Sequence, residues 1–286
     1  MTNQQFTINN QKFGFELEFG GIMRSTAVRV VAQTLGVPVP HGNEIRDTQG
    51  RKWKLVNDAS VQAQGGQASE LVSPPLMMAD MDMVQNIVRN LRRAGAKVDS
   101  SCGMHVHVDL ANYNVKSLKN LVKYYAKYED MFYKAAQVLP NRATGYANKL
   151  NAKHPNLVAK IGTVKSLDDL KRLWYGGDRD HVSHYDNSRY AGLNLHNIWY
   201  KGWYSGTVEF RLFNATLHAG EVRSYITLAL AISAKALNAK SVNSRQNNIV
   251  EDVYLFPKIL GGLGITHGNE VTKNVYKHLT KSMRTA

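Results

Sequence analysis

Seven residues near the N-terminus, Phe13-Gly14-Phe15-Glu16-Leu17-Glu18-Phe19, set two carboxylates into an otherwise apolar pattern. A β-strand sends alternate side chains to opposite faces. Glu16 and Glu18 therefore share one face with Gly14, while Phe13, Phe15, Leu17 and Phe19 form an apolar face. The two anions stand about 7 Å apart by strand rise. Like charges that close repel, and burying them unpaired is costly, so a divalent cation between them is the natural way to keep both ionised. Glu-x-Glu on the wet face of an antiparallel strand is also ordinary, and the pair alone does not decide between surface and site.

Three later segments repeat the design. Ala68-Ser69-Glu70-Leu71-Val72-Ser73-Pro74-Pro75-Leu76 is extended, with Glu70 opening a short strand and two prolines forbidding a helix. Cys102-Gly103-Met104-His105-Val106-His107-Val108-Asp109 alternates strictly, so His105, His107 and Asp109 face one way and Met104, Val106 and Val108 the other. Two imidazoles at that spacing can bind a metal or a phosphate, or simply form hydrogen bonds. In Thr207-Val208-Glu209-Phe210-Arg211-Leu212-Phe213, Val208, Phe210 and Leu212 oppose Glu209 and Arg211, which alone reads as a salt network. Antiparallel strands about 4.8 Å apart could bring these groups together on a concave sheet face. Several carboxylates and an imidazole would there hold two or three Mg²⁺ or Mn²⁺ ions. Oxygen-rich ligation beside an arginine suits magnesium-held phosphate better than zinc hydrolysis.

The elements that must position these groups follow from hydrophobic spacing. Residues 26–36 read as a helix with Ser25 or Thr26 as N-cap and Gly36 as stop, 53–57 as a strand leading into a turn tipped by Asp58, and 62–67 as a loop. A helix over 79–94 turns Met83, Ile87, Val88 and Leu91 inward and Arg89, Arg92 and Arg93 outward. Residues 115–138 give the clearest helix, with Leu139 at its inward spacing and Pro140 ending it. The stretch 141–165 reads as irregular, Ser166 caps a short helix, 176–187 is a loop holding His181 and His184, and 188–195 is a strand entered through Arg189. Residues 219–238 form a long apolar helix, and 246–284 are helical with a break at Gly261-Gly262. The expected fold class is α+β: a curved, mainly antiparallel sheet with helices packed on one face.

Composition bounds the partners. With 286 residues and 43% hydrophobic content the chain can bury a full core. Its 36 Lys and Arg against 22 Asp and Glu favour nucleotides, nucleic acid or an acidic surface. The basic residues are scattered, and no zinc-finger, Walker or RNP pattern appears, so nucleic-acid binding stands only as an alternative. No apolar run reaches the roughly 18 residues of a spanning helix. The opening Met-Thr-Asn-Gln-Gln lacks signal-peptide regions, so a cytoplasmic protein without a membrane partner is expected. The single cysteine, Cys102, has no activating dyad and reads as a packing residue. Trp53, Trp174, Trp199 and Trp203 could line a cleft or fill the core.

Taken in order, 13–19, Asp58, Glu-Leu-Val-Ser-Pro-Pro-Leu at 70–76, 102–109, Arg142, Ser-Arg-Tyr at 188–190 with Leu-Asn-Leu at 193–195, and 207–213 resemble the amidoligase family. That family is a branch of the glutamine synthetase and glutamate–cysteine ligase superfamily. The resemblance covers roughly 13–235, and its Gly-Met-His-Val-His and Glu-Phe-Arg segments are also similar to glutamine synthetase. It implies an ATP-dependent carboxylate–amine ligase working through an acyl phosphate. Residues 1–240 would form the catalytic domain, with an insertion at about 112–185, and 241–286 a helical extension. By position, Glu16, Glu18, Glu70, His105 and Glu209 would be metal ligands. His107 would lie near the ATP phosphates, and Arg211 would stabilise the transferring phosphoryl group. Arg142 and Arg189 would bind phosphate or substrate carboxylate, and Asp58 would position the amine or hold a loop. Small-molecule, peptide and protein carboxylates and amines are all compatible, and the oligomeric state is open. A nucleic-acid-binding or structural accessory protein with relic strand carboxylates, and a metal-dependent hydrolase using His105 and His107, are the competing readings.

Overall fold

One-sided strands must bury their apolar face against something, and here that something is a layer of helices. The computed structural model describes residues 5–62, 64–202, 205–243 and 253–285. Seven strands run as β1 (Phe13–Phe19), β2 (Glu44–Arg46), β3 (Lys52–Val56), β4 (Ser69–Val72), β5 (Gly103–Asp109), β6 (Leu193–Asn194) and β7 (Thr207–Asn214). They form one sheet in the order β2-β3-β4-β1-β5-β7-β6, and every neighbouring pair is antiparallel. The fold is α+β. The four strands that carry the acids and histidines, β4, β1, β5 and β7, are adjacent.

Phe13, Phe15, Leu17 and Phe19 are all at most 1% exposed, and Met104, Val106, Val108, Val208 and Phe210 join them in one core. The covering helices are α1 (Arg24–Thr34), α2 (Met81–Arg93), α3 (Val115–Ala135) and, after the short α4 (Pro140–Thr144), α5 (Leu150–Lys153), α6 (Pro155–Lys160) and α7 (Leu167–Tyr175), the long α8 (Ala219–Asn238). Helix α8 packs on β5, α2 and α3, while α9 (Phe256–Gly262) and α10 (Lys273–Thr285) close the chain, α10 lying against α8 and α3. Among the described residues no helix is long and apolar enough to cross a membrane.

Local expectations fail where tertiary contacts replace sequence signals. Helix α1 begins at Arg24 rather than behind Ser25 or Thr26, because the Gln67 side chain accepts from the Arg24 amide at 2.9 Å and does the work of a cap. The 141–165 stretch is not irregular. Pro140 and Pro155 each start a short helix, the position where a missing N–H is harmless. Residues 188–195 contribute only a two-residue strand, since Asn187–Arg189 is a 3₁₀ turn. Met83 packs partly buried against the core beside the buried Met81 and Val84, whereas Leu139 is 37% exposed rather than inward. The edge strand β2, short and polar, was not expected. Trp53 and Trp174 fill the core and Trp199 packs partly buried against it, whereas Trp203 and 244–252 lie outside the described residues.

Alternation along β7 also breaks. Met104 pairs with Phe213 but Val106 with Phe210, so Arg211 and Leu212 together face His105 in a β-bulge. Phe213 therefore takes the place opposite Met104 and stacks on Tyr225 of α8, with ring centroids 4.5 Å apart. Truncating this ring, Phe213→Ala, should destabilise the fold by roughly 3–5 kcal/mol, whereas Leu139→Ala should stay within about 0.5 kcal/mol. Urea unfolding midpoints of the two variants check the contrast.

Candidate active site

Strand register converts the sequence motifs into rows across the sheet. Glu18 pairs with Glu70, Glu16 with His105, and His107 lies between Gly14 and Glu209, which in turn pairs with Asn194. The groups share the face away from the main helices. His105 Nδ1 lies 2.6 Å from Glu16 and 3.4 Å from Glu209, and His107 Nε2 lies 3.6 Å from Glu16 and 3.9 Å from Glu209. Arg211 donates to Glu209 at 2.6 Å. Glu209 is further fixed by the amides of Asn194 at 2.7 Å and Asn197 at 3.2 Å. At the other end the Gly103 amide donates to Glu18.

Burial makes these charges interact strongly. It pushes Glu18 up to about 7. Glu70 rises well above the carboxylate range through burial together with Glu16, Glu18 and Asp58. For Glu209 burial acts the same way, but Arg211 foremost, then His107 and His105, outweigh it and bring the group to about 2. Burial likewise opposes ionisation of Glu16, yet His107 and His105 hold it well below its ordinary value. Burial and then Arg211 lower His105 to about 4, so its ring is neutral at neutral pH. With Nδ1–H directed at Glu16, the lone pair falls on Nε2.

That lone pair is the test of whether a metal fits. His105 Nε2 is buried, makes no hydrogen bond among the described residues, and stands 3.7 Å from the nearer Glu18 oxygen. Three groups offer ligand atoms within 4.8 Å of one another: Glu16 with His107 and Glu209, Glu16 with Glu70 and His105, and Glu18 with Asp58 and Glu70. Carboxylate-rich sets, two of them with one imidazole and the third with none, fit Mg²⁺ or Mn²⁺. All five expected ligands thus converge. Asp58, on its turn between β3 and β4, joins Glu18 and Glu70 as a possible ligand, and His107 joins Glu16 and Glu209.

Two cavities open on this face, one toward each end of the rows. The first, about 630 Å³, adjoins Gly14, His107, Asp109 and Thr207 and is lined by Lys12, Arg46, Arg51 and Lys52. The second, about 530 Å³, adjoins Glu16, Glu18, Glu70 and His105 and receives Asp58, Arg142, Arg189 and Arg211. Tyr146, His184 and Tyr190 complete its wall. The sequence reading gave no role to these three, to the four cations of the first cavity, or to Asn194 and Asn197. Tyr190 and Asn194 stood inside quoted motifs, whereas nothing in the spacing marks the others. Cys102 is 1% exposed and burial pushes its thiol up to about 11, in keeping with a packing role.

A one-sided antiparallel sheet thus gathers carboxylates, imidazoles and an arginine on its open face between two cavities. The model of the family described as "Putative amidoligase enzyme" matches residues 9–233, and the chain belongs to that family. Among solved structures, a bifunctional glutathione synthetase from Pasteurella multocida is similar, with a TM-score of 0.46 and 11% identity over 97% of this chain. The chain spans 47% of that protein's length. No curated protein matches the chain.

Glu18 and Glu70 hold protons that a bound cation must displace, so binding should strengthen as pH rises through about 7. Millimolar Mn²⁺ should raise the melting temperature by roughly 5–10 °C near pH 8, taking about 2.7 kcal/mol at a hundredfold excess over Kd and 2–4 °C per kcal/mol. Near pH 5.5 the shift should be less than half as large. Thermal scans with and without Mn²⁺ at both pH values read this directly, and a shift that grows toward acid would contradict it.

Proposed function

We propose that the protein is an ATP- and Mg²⁺-dependent carboxylate–amine ligase that forms an amide or isopeptide bond through an acyl phosphate, releasing ADP and phosphate. The observation that carries this reading is the convergence of Glu16, Glu18, Glu70, His105 and Glu209 beside Arg211, in a chain of the amidoligase family. Those five residues would hold Mg²⁺ or Mn²⁺, which when bound neutralises phosphate charge and brings anionic reactants together.

The rest falls to the chain's own groups. The cavity with Lys12, Arg46, Arg51, Lys52 and His107 suits the nucleotide, because its cations line the approach to the cluster. Arg51 is oriented by Asp47 at 2.7 Å and Asp80 at 3.0 Å. The carboxylate and the amine enter the other cavity. There a carboxylate oxygen attacks the γ-phosphorus and the bond to the bridging oxygen breaks as ADP leaves. The amine nitrogen then attacks the acyl carbon, phosphate departs with the bonding pair, and the nitrogen loses a proton. Arg211, which is 4% exposed and braced by Glu209, stabilises charge on the phosphoryl group in flight. Such preorganised donors act without reorganisation during the step. Asp58 positions the amine, with its turn fixed by Ser60, whose amide and hydroxyl donate to it at 2.7 and 2.6 Å.

Glu16→Gln keeps shape and removes one charge, and Arg211→Lys keeps charge and removes the planar fork. Each should lower ATP-dependent formation of hydroxamate from carboxylate and hydroxylamine by at least about 100-fold while circular dichroism stays that of the wild type. Undiminished turnover in Glu16→Gln would remove the assigned role.

A further inference from the structure

Basic residues that are scattered along the chain meet on the helix layer. Helix α2 exposes Arg89, Arg92 and Arg93 along one side. Helix α10 contains no acid and exposes Lys277, Lys281 and Arg284, whose spacing of four and then three residues keeps them on one helix face. Both helices pack on α8. The three arginines border a recess of about 630 Å³ whose other wall is Leu217, His218, Ala219 and Gly220, where α8 begins. His278 of α10 reaches the same place, edge-on to Tyr225 with ring centroids 6.5 Å apart. Burial lowers its pKa, Glu221 opposes this, and His218 and Lys281 add to it, so the two basic rows come together at the first turn of α8.

These arginines and lysines form no ion pair among the described residues, where Arg89 and Arg93 donate to the side chains of Asn86 at 2.9 Å and Asn90 at 3.2 Å. Acids on the three helices are few. Asp82 stands about two turns before Arg89, and Glu221 accepts from the Thr216 hydroxyl at 2.6 Å. The charge of the molecule is thereby segregated, with carboxylates on the open face of the sheet and unpaired bases on the outside of the helix layer. A helix that lies on a membrane needs apolar side chains to sink below the headgroups, and a protein partner needs aromatic or aliphatic anchors at the centre of the contact. Among the described residues α2, α8 and α10 expose no large hydrophobic side chain. Nor do they expose an aromatic ring on which the bases of a single strand would stack. Charge without anchors suits the phosphates of a double helix. We propose that α2 and α10, on the side of the fold away from the acid cluster, form a docking surface for the backbone of duplex nucleic acid, bound without regard to sequence. This stands apart from the ligase reading, since none of these residues lines either cavity of the acid face. Duplex DNA and duplex RNA offer it the same chemistry.

Fluorescence anisotropy with a labelled DNA duplex, an RNA duplex of the same sequence and the separate single strands tests this across salt concentrations of about 50 to 200 mM. At least one duplex should bind with a Kd of roughly 1–100 μM, and log K should fall against log salt with a slope of about −3.5 to −5.5, the value for four to six phosphate contacts. Which duplex binds identifies the source of the backbone. Arg89→Glu with Arg92→Glu should weaken binding at least about tenfold and flatten the slope by about 2. Lys277→Glu with Lys281→Glu should do the same. Lys160→Glu with Lys165→Glu, an equal change of net charge outside α2, α8 and α10, should alter binding less than about threefold. Melting temperatures report whether each variant keeps the fold; where a reversal lowers one, the matching pair of Gln substitutions is read instead. Absence of binding to both duplexes at the lowest salt, or single strands held as tightly as duplexes, overturns the proposal. So does an equal loss in the Lys160 and Lys165 pair, or phosphatidylserine vesicles or polyglutamate binding as tightly as the duplex.

Discussion

Electrostatic repulsion within one sheet face is the constraint on which the rest of this structure depends. Like charges directly opposite each other on adjacent strands are destabilising, yet Glu18 stands opposite Glu70, with Glu16 one row away. The fold bears this because the other face of the same strands is apolar and almost wholly buried. At roughly 25 cal/mol per Å² of buried apolar surface, that face supplies the stabilisation that lets the acid face be unfavourable. The main helices therefore lie on the apolar side, since a full second helical layer would cover the acids and leave no path to them.

The acid face is not uniform. At the β7 end Glu209 is fully provided for, with Arg211 on one oxygen and Asn194 and Asn197 on the other. At the β4 end Glu18, Glu70 and Asp58 converge, and among the described residues only the Gly103 amide donates to Glu18 and only Ser60 to the Asp58 carboxylate. The resulting gradient runs from a permanently ionised carboxylate to ones that keep protons near neutrality. One end has both carboxylate oxygens held by hydrogen bonds, and at the other burial and the neighbouring acids favour the protonated forms.

How much of this was legible follows from the range of the interactions. Period-two alternation depends on neighbours in the chain, so the faces of β1 and β5 could be read directly, and the repetition of one chemistry on four segments implied their adjacency. The bulge at Arg211 and Leu212 could not be read, because it is set by pairing with β5 and leaves no mark on composition. The same holds for the start of α1, which depends on Gln67 from a distant loop. Lys12, Arg46, Arg51 and Lys52 gather from two separate segments into one cavity, and each alone looks like a solvated base. Arg142 and Arg189 were visible only as members of an ordered motif set, and their meeting on one cavity wall is a property of the packed molecule.

Space, as well as charge, shapes the second cavity. Gly103 and Gly192 have no need of unusual backbone angles. What they provide is contact distance: a Cβ on Gly103 would strike the Arg142 guanidinium, and one on Gly192 would lie 2.1 Å from the Tyr133 hydroxyl and 2.6 Å from that of Tyr125. Tyr133 in turn donates to the carbonyls of Ala147 and Asn148 at 2.8 and 3.0 Å, and the Asn148 amide reaches the Tyr190 carbonyl at 3.1 Å. Two glycines thus let the 140–151 segment press onto the sheet and bring Arg142 and Tyr146 to the cavity wall. A methyl group at either position would move that wall outward while leaving every metal-ligand candidate unchanged. The wall of this cavity and the cluster of acids and imidazoles therefore rest on different residues, the wall on Gly103, Gly192 and the 140–151 segment and the cluster on β1, β4, β5 and β7.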